Sequence, residues 1–543
     1  MSDVETVDVI VVGAGPVGLT LVNLLATYGV RTLLVERNSS TETEPRAVTI
    51  DDESLRTMQA AGLVQDVVKD VVLGYGVQYF DWRGKPLAAI LPTRQEYGYP
   101  KRNAFRQPLL VQTLRQGLQR FDCVQACFGH ELLDFQQHGD GVEVTLRHAQ
   151  GTRHVRAAWL VGCDGGRSKV REQLGIKLDG STYPERWLIV DLAQRSVPLR
   201  HTRTYCDPRR PAIRLPGPHG TVRYEFMLHA ADRDEDVLQD ALFRGWIRER
   251  VAEDAQLPLV RKAVYGFHAR VAERWKDGRV LLAGDAAHLT PPFAGQGLNS
   301  GIRDAANLAW KLAAVTRWGA AATLLESYES ERRPHAAALI RMALRIGAFM
   351  QPKSVPGALL AQTALRAACL IPACRDYILQ LRFKPKPQLQ RGCFEGSAGH
   401  ARSELLPQPL VESAHQKLVL LDELLGGDFA VVGWDSPAFR EHARRWLPAG
   451  VPARVVALVR GEDDFTGTEP PEGIQRVRDA TGELGRWLDA RSAAAVVLRP
   501  DRYWFRLVAP AALAKPQTAP AAGIWPPVPD PVHHGAAFPA TPA

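Results

Sequence analysis

The chain contains little cysteine for its length, seven residues in 543, and their spacing includes no CxxC pair and no metal-ligand pattern. We interpret them as reduced thiols, which predicts a cytoplasmic location and no metal site. The most apolar stretches are too short for a membrane span and include a charge. The N-terminus enters a strand directly, without a basic region and apolar core, so a secretory signal is not expected.

The excess of charge of one sign is only moderate. The 67 Lys and Arg residues stand against 59 Asp and Glu, a formal net charge of +8. They form no concentrated basic run with interleaved aromatic residues, so we expect solvated surface charge and no nucleic-acid partner. No internal repeats are visible. The length and the 45% hydrophobic content fit a globular protein with a substantial core.

A glycine-rich passage near the N-terminus reads VDVIVVGAGPVGLTLVNLLATYGVRTLLVER. Gly13, Gly15 and Gly18 lie between an apolar strand and a helix that begins near Pro16, and Glu36 closes the next strand. Residues without Cβ let the backbone turn sharply and approach a pyrophosphate, while the helix N-terminus attracts its charge. A turn that only packs a helix on a strand is the alternative. The complete order, ending in an acidic residue, predicts dinucleotide binding.

A second strand-to-helix passage occupies residues 279 to 312, RVLLAGDAAHLTPPFAGQGLNSGIRDAANLAWKL. Asp285 follows the apolar run, and a loop containing Pro291, Gly295 and Gly297 precedes a helix that begins near Leu298. An aspartate there can hold ribityl hydroxyls, and the helix N-terminus can stabilise an anionic reduced flavin. In isolation, a helix cap is the alternative for Asp285. Taken together, the two passages predict FAD.

The predicted organisation is discontinuous. The dinucleotide unit covers residues 1–75, 105–180 and 271–350, and strand patterns at 76–104 and 181–270 predict a sheet that covers the substrate. Pro-punctuated helices form a connector over 351–395, and strands separated by helices form a further unit over 396–509. The Pro- and Ala-rich residues 510–543 are expected to be disordered.

These motifs carry a family resemblance. GAGPVG with Glu36, CDGGRSKVR at 163–171 and GDAAHLTPPFAGQGLNSGIRDAANLAWKL together resemble the FAD-dependent class A aromatic monooxygenases. Further segments, including PRAVTIDDESLRTMQAAGL, YPKRNAFRQP, YEFML and RFKPKPQ, are similar to the 3-(3-hydroxyphenyl)propionate hydroxylases within that group. The likeness extends from residue 7 to about 505.

The resemblance implies an α/β fold: a Rossmann-like FAD-binding domain interrupted by a β-sheet substrate domain, with a thioredoxin-like C-terminal domain. Residues 396–509 match that last unit in pattern but contain no cysteine. A redox role is therefore excluded for it, which leaves an interaction or structural role.

The resemblance also implies the cofactor contacts. Asp164 would serve flavin placement and the path of the nicotinamide, although a turn aspartate before Gly165 is the alternative. His288 is interpreted as a packing residue and not as a general base. The remaining implied FAD contacts are Gly13, Gly15, Pro16 and Gly18 at the pyrophosphate, Glu36 and Arg37 at the ribose, Arg46 near the flavin, Gln107 and Asp285 on the ribityl chain, and Pro291, Gly295, Gly297, Leu298 and Asn299 beside the isoalloxazine.

The implied reaction is ortho-hydroxylation of a phenol to a catechol with O2, with FAD reduced by NADH or NADPH. Only one dinucleotide fingerprint occurs, so the nicotinamide is expected as a transient co-substrate. The expected substrates are 3-(3-hydroxyphenyl)propanoate and 3-hydroxycinnamate, and a homo-oligomer is left open. Weak candidates for the substrate pocket, an arginine fork and phenol contacts, are Arg210, Arg223, Tyr205 and His219.

Alternatives stay open at this point. The loop HLTPPFAGQGLNSG departs from the bulkier Trp-containing loop expected of the hydroxyphenylpropionate enzymes. Another substituted phenol or a polyketide-type phenol is therefore an alternative substrate. A non-oxygenating FAD oxidoreductase and a non-catalytic flavoprotein are alternative functions.

Overall fold

The chain is described here from a computed structural model, over residues 5–41, 47–193, 199–352, 354–395, 402–413, 418–461 and 473–513. Arg46, predicted near the flavin, lies outside these ranges, as does the predicted disordered tail from residue 514 onward. At the start of that predicted tail, Pro510–Ala512 form a single 3₁₀ turn.

The first third of the chain contains most strands of a parallel sheet, the helices against it and some strands of other sheets. Its elements are β1 (Glu5–Val12), α1 (Pro16–Thr27), β2 (Thr32–Glu36), β3 (Thr49–Ile50), α2 (Asp52–Ala60), α3 (Val64–Val67), β4 (Val71–Val72), β5 (Val77–Asp81), β6 (Pro86–Ile90), β7 (Asn103–Phe105), α4 (Gln107–Gly117), β8 (Val124–Phe128), β9 (Glu131–Gln137), β10 (Val142–His148), β11 (Gly151–Gly162) and α5 (Lys169–Gln173).

A second sheet follows, and the chain then returns to the first. The elements of this part are β12 (Leu178–Leu192), β13 (Thr202–Cys206), β14 (Ala212–Pro216), β15 (Val222–Leu228), α6 (Asp234–Val237), α7 (Asp240–Arg250), β16 (Leu259–Ala272), β17 (Lys276–Asp277), β18 (Val280–Leu282) and β19 (His288–Leu289).

The first sheet has the path β17-β18-β11-β1-β2-β8, with β10 and β9 attached beside β11. Strands β18, β11, β1, β2 and β8 are parallel neighbours. The central strands β1, β2 and β18 include continuous buried apolar runs, as expected of a parallel sheet that is covered on both faces. The second sheet, β19-β16-β12-β15-β14-β13-β5-β6, is antiparallel except where β13 meets β5.

Four helices then follow: α8 (Gly297–Arg317), α9 (Glu326–Met350), α10 (Val355–Leu370) and α11 (Pro372–Leu379). Helix α8 packs in the core of the parallel sheet, and the C-terminal half of α9 packs under the second sheet. Among the described residues no single helix has both the length and the apolar character to cross a membrane, and α10 with α11 qualifies only as a pair bent by 108°.

The C-terminal unit is a separate seven-stranded sheet, β23-β22-β26-β25-β24-β27-β28. Central β24 pairs in parallel with β25 and antiparallel with β27. With this unit the predicted fold class is confirmed. The elements from residue 388 onward are β20 (Gln388–Leu389), β21 (Ser403–Glu404), β22 (Leu410–Ser413), β23 (Val419–Leu420), α12 (Leu421–Leu425), β24 (Phe429–Trp434), α13 (Pro437–His442), β25 (Ala453–Val459), β26 (Ile474–Asp479), α14 (Glu483–Asp489), β27 (Ala495–Leu498) and β28 (Trp504–Val508).

Candidate active site

The three glycines of the first turn have different structural roles. Gly13 has φ +105°, and a Cβ there would lie 2.5 Å from the carbonyl oxygen of Cys163. A Cβ at Gly18 would lie 2.0 Å from the carbonyl oxygen of Gly13, so only glycine lets α1 approach the turn this closely. A Cβ at Gly15 would meet nothing within 4 Å. Space for a ligand therefore remains at the N-terminus of α1.

That N-terminus suits an anion. Gly15 caps α1 without a side-chain hydrogen bond, Pro16 occupies the first turn, and that turn holds no acidic residue. The first-turn N–H groups and the helix dipole are thus left for a phosphate. Glu36, at the end of β2, accepts hydrogen bonds from the backbone N–H groups of Ala14 and Asn38, each at 2.9 Å, and Arg37 beside it is exposed.

The second loop folds directly onto the first. A Cβ on Gly301 of α8 would lie 2.4 Å from Cγ2 of Val17 on α1, and one on Gly284 would lie 2.9 Å from the same atom. Asp285, next to Gly284, is exposed. Two passages some 270 residues apart in sequence are therefore in van der Waals contact, and Asp285 stands at their edge.

The loop over residues 291–297 ends at another uncapped helix. Gly295 adopts the left-handed conformation, φ +62°, and α8 begins at Gly297 with no side-chain cap and no acidic residue in its first turn. The side chain of Asn299 accepts from the Asp51 N–H at 3.0 Å and donates to Gly295 O at 2.7 Å. The Asn299 side chain therefore holds the loop in place, and its backbone N–H, like that of Leu298, belongs to the uncapped turn.

Asp164 and Gln107 contribute polar side chains near these loops. One carboxylate oxygen of Asp164 accepts from Lys169 N–H at 2.7 Å. The other is buried, without a hydrogen-bond partner among the described residues, and burial raises the pKa of Asp164. A buried oxygen without a partner is costly, so a polar group of a bound cofactor would stabilise it. Gln107 is buried and accepts from Ala47 N–H at 2.8 Å.

The sequence predicted a packing role for His288, and the structure adds a hydrogen-bonded partner to it. Its side chain is fully buried, its ring stacks on Trp275, and its Nε2 lies 2.7 Å from Asp304. Burial raises the pKa of Asp304, but His288 and Arg332 outweigh it and leave that pKa below its usual range. Asp304 also accepts from Gly284 N–H at 3.2 Å, so this cluster anchors the turn that carries Asp285.

A cavity opens between the 291–297 loop, the second sheet and α9. Ala294 and Gln296 bring the loop to its wall, and Thr49 and Asp51 add polar groups. Three cations, Lys101, Arg102 and Lys384, line it as well. Most of the wall is apolar or aromatic, formed by Tyr79, Ile90, Phe293, Met342, Ile346 and Leu381.

The structure does not bring the four substrate candidates from the sequence to this cavity. Tyr205 packs with Tyr224 and Phe226 on the face of the second sheet that α7 covers. Its neighbour Cys206 faces the opposite way, with Tyr79 on the cavity side. Because side chains alternate along a strand, a choice between adjacent residues decides the face.

The other three candidates are engaged elsewhere. Arg210 binds Asp232 at 2.8 Å and lies over the ring of Trp246. Arg223 is on the cavity side of the sheet but is buried against Asp191 at 2.7 Å. His219 is 61% exposed, with Nε2 2.6 Å from Asp70. None of them lines the cavity.

Sequence reasoning missed the cations that do line it. Lys101 and Arg102 lie in YPKRNAFRQP, a segment noted only for its family likeness. Two adjacent cations just before a short strand were the available signal. Their nearness to the 291–297 loop depends on the pairing of β7 with β3, which no local pattern reveals.

A cluster of three carboxylates borders the cavity. Ligand oxygens of Asp51, Asp52 and Glu53 lie within 4.8 Å of one another, all buried. Arg303 and Lys384 reach them, with Lys384 at 3.0 Å from Asp51 and 2.9 Å from Glu53. Burial raises the pKa of Asp52 to about 7, and its two acidic neighbours add to that shift. The cations supply the charge balance that a metal would otherwise provide.

Comparison with known proteins agrees with this site. Residues 6–343 match the model of an FAD binding domain, and residues 403–522 match that of an HcaD C-terminal domain. A 3-(3-hydroxy-phenyl)propionate/3-hydroxycinnamic acid hydroxylase from Mycobacterium sp. (strain JLS) is 41% identical over 92% of this chain and 89% of its own. One of the same description from Escherichia coli O139:H28 (strain E24377A / ETEC) is 38% identical over 94% and 93%.

Among solved structures, the flavin-dependent monooxygenase PieE in complex with FAD and substrate superimposes with a TM-score of 0.77 at 23% identity, over 95% of this chain and 98% of its own. That likeness concerns the fold. The glycine turn, the uncapped helices and the partnerless Asp164 oxygen fit FAD. On these grounds, and on the extent of the sequence matches, the chain belongs to the FAD-dependent aromatic monooxygenases, which hydroxylate aromatic compounds.

Proposed function

We propose that the protein converts 3-(3-hydroxyphenyl)propanoate, and 3-hydroxycinnamate, to the 2,3-dihydroxy products in aromatic catabolism. One phenol, one O2 and one NADH or NADPH with a proton give one catechol, one water and the oxidised nicotinamide. The observation that carries this proposal is a cavity in which an aromatic wall, surplus positive charge and the 291–297 loop meet. The names of the curated relatives support the same substrate class.

The mostly apolar and aromatic wall of the cavity suits a phenol ring. The apolar wall also excludes water from the reacting ring, which limits unproductive loss of reducing equivalents.

FAD supplies the oxygen-activating chemistry, and the chain positions it. The N-terminus of α1 at Gly15 would hold the pyrophosphate, and Glu36 would accept hydrogen bonds from the adenosine ribose. Gln107 and Asp285 would hold the ribityl chain. The uncapped N-terminus of α8 would stabilise negative charge on the reduced ring system.

Tyr79 supplies a hydroxyl to the cavity wall. Burial raises its pKa to about 12, so the phenol of Tyr79 stays protonated at neutral pH. It can therefore donate a hydrogen bond to an oxygen of the substrate without carrying charge itself.

A cytoplasmic location is part of the proposal, supported by seven cysteines that are all free thiols. Assembly into a homo-oligomer and the absence of a nucleic-acid partner stay predictions from the sequence.

The test is to load the purified chain with FAD and follow NADH and NADPH oxidation with 3-(3-hydroxyphenyl)propanoate under ¹⁸O2. We expect the acid to accelerate oxidation and mass spectrometry to find one ¹⁸O atom in the catechol. Turnover without ¹⁸O incorporation would indicate a non-oxygenating oxidoreductase. A yellow protein that oxidises no nicotinamide with any phenol acid would indicate a non-catalytic flavoprotein.

A further inference from the structure

Arg102 is half-buried, and it differs from the buried arginines Arg214, Arg223 and Arg303 in what it binds. One terminal nitrogen donates to the hydroxyl of Tyr75 at 3.2 Å, and the guanidinium lies 5.2 Å from the centre of that ring. Its Nε is buried and has no hydrogen-bond partner within the described ranges. A guanidinium has five N–H donors in a fixed fork, so a neutral hydroxyl satisfies little of it.

The two arginines predicted from the sequence as a carboxylate fork, Arg210 and Arg223, contrast with it, as do their neighbours Arg209 and Arg214. Each already holds an aspartate: Arg209 with Asp207, Arg210 with Asp232, Arg214 with Asp254 and Arg223 with Asp191. They are components of the sheet's own ion pairs. Arg102 therefore stands apart as a cation that lines the cavity and whose hydrogen-bonded partner is neutral.

Among the cations that line the cavity, Lys384 already has carboxylate partners. Together with Arg303 it contacts the carboxylates of Asp51 and Glu53. Burial alone would raise the pKa values of Asp51 and Glu53. Arg303 and Lys384 outweigh burial, so both pKa values are lowered. The charges of Arg303 and Lys384 are balanced by those of Asp51 and Glu53, so Lys384 adds no net attraction for an anion.

Lys101, beside Arg102, is only loosely paired. Its Nζ lies 3.6 Å from Glu96, which is 41% exposed. An ion pair of that length and exposure contributes little. The surplus positive charge of the cavity is therefore that of Arg102, reinforced by Lys101.

We propose that Arg102, assisted by Lys101, binds the carboxylate of the substrate side chain and thereby selects phenols with a short anionic chain over neutral phenols. The inference rests on the proposed function, since it assigns a subsite within the same cavity. A carboxylate would occupy the unused donors of the guanidinium, and the apolar wall would hold the ring. Arg102 is a specificity residue that contacts substrate away from the reacting carbon.

The experiment compares two ligands on the FAD-loaded enzyme by calorimetry: 3-(3-hydroxyphenyl)propanoate and the neutral 3-ethylphenol. Arg102→Met should raise the Kd of the acid by at least about 30-fold, the effect of truncating one partner of a buried charged pair. The Kd of 3-ethylphenol should change by less than about threefold. Arg102→Lys should recover part of the loss, and Lys101→Met should give a smaller one.

Arg94→Met is the matched control, because Arg94 is exposed on the same segment and does not line the cavity. It should leave both Kd values unchanged, and bound FAD per chain should stay at the wild-type level in every variant. Equal losses for the acid and for 3-ethylphenol would overturn the subsite, and so would an unchanged Kd for the acid. Wild-type enzyme that binds no phenol acid would instead overturn the proposed function.

Discussion

Glu331 is the centre of a buried charge network between the FAD-binding domain and the C-terminal unit. Its carboxylate accepts from Lys311 Nζ at 2.8 Å, from Arg499 at 2.8 and 2.9 Å and from Cys393 N–H at 2.7 Å. Glu331, Lys311 and Arg499 are fully buried. We predict that Glu331→Gln, which keeps the size of the side chain, destabilises the protein strongly.

The magnitude follows from the charge balance. Glu331 and Asp501 carry two negative charges against the two positive charges of Lys311 and Arg499. Burial raises the pKa of Glu331, but Arg499 and Lys311 outweigh it and bring that pKa to about 2, so the group is ionised at neutral pH. Glutamine leaves one buried positive charge unmatched. Removing one partner of a buried pair costs about 3–5 kcal/mol.

The assay is urea unfolding of the FAD-loaded protein at neutral pH, followed by circular dichroism. Glu441→Gln is the control, because Glu441 is 69% exposed and its change should cost less than about 0.5 kcal/mol. Adding Lys311→Met to Glu331→Gln restores the charge balance and should recover part of the loss. The reasoning is refuted if Glu331→Gln unfolds within about 1 kcal/mol of wild type, the level of an ordinary substitution.

Three further predictions follow from the site. Gly15→Ala should lose FAD while the apoprotein keeps its thermal midpoint, since the new Cβ meets no protein atom within 4 Å. Gly18→Ala should lower both the FAD content and the thermal midpoint of the apoprotein, since its Cβ would lie 2.0 Å from Gly13 O. Asp285→Ala should weaken FAD retention, because the side chain is exposed where the two passages meet. Asp52→Asn should stabilise the protein relative to wild type by an amount that grows with pH. The raised pKa of Asp52, about 7 against 3.8, means that its contribution is present below pH 3.8 and is lost as the pH rises through 7.

Each of these has a contradicting result. Equal FAD retention by Gly15→Ala and wild type, measured as flavin absorbance per chain, would argue against the phosphate at α1. Unchanged FAD content in Asp285→Ala would remove that side chain from the cofactor site. For Asp52→Asn, urea unfolding across about pH 5 to 8 should give a difference of a few kcal/mol at the upper end. A difference that is constant with pH would show that the carboxyl keeps its ordinary pKa.

The sequence by itself determined the parts of this protein that depend on neighbouring residues. Gly13, Gly15 and Gly18 report a turn whose geometry is set within six residues, and the apolar run before Asp285 reports a buried strand end. Such signals are local, because a glycine at a sharp turn and a helix start without a capping side chain are both visible in a short stretch of sequence. The cofactor was predicted from them, and the fold class was implied by the family resemblance that they carry.

Only the tertiary structure decided which side chains line the cavity. Tyr205 and Cys206 are adjacent, yet strand alternation sends one beneath α7 and the other toward the cavity, and both faces of the sheet are covered. The sequence alone does not distinguish Arg210 and Arg223 from Arg102. In the folded protein, both form ion pairs with aspartates from other segments of the chain. Which cation is left for a ligand depends on long-range charge pairing, and pairing of that kind exists only once the sheets have assembled.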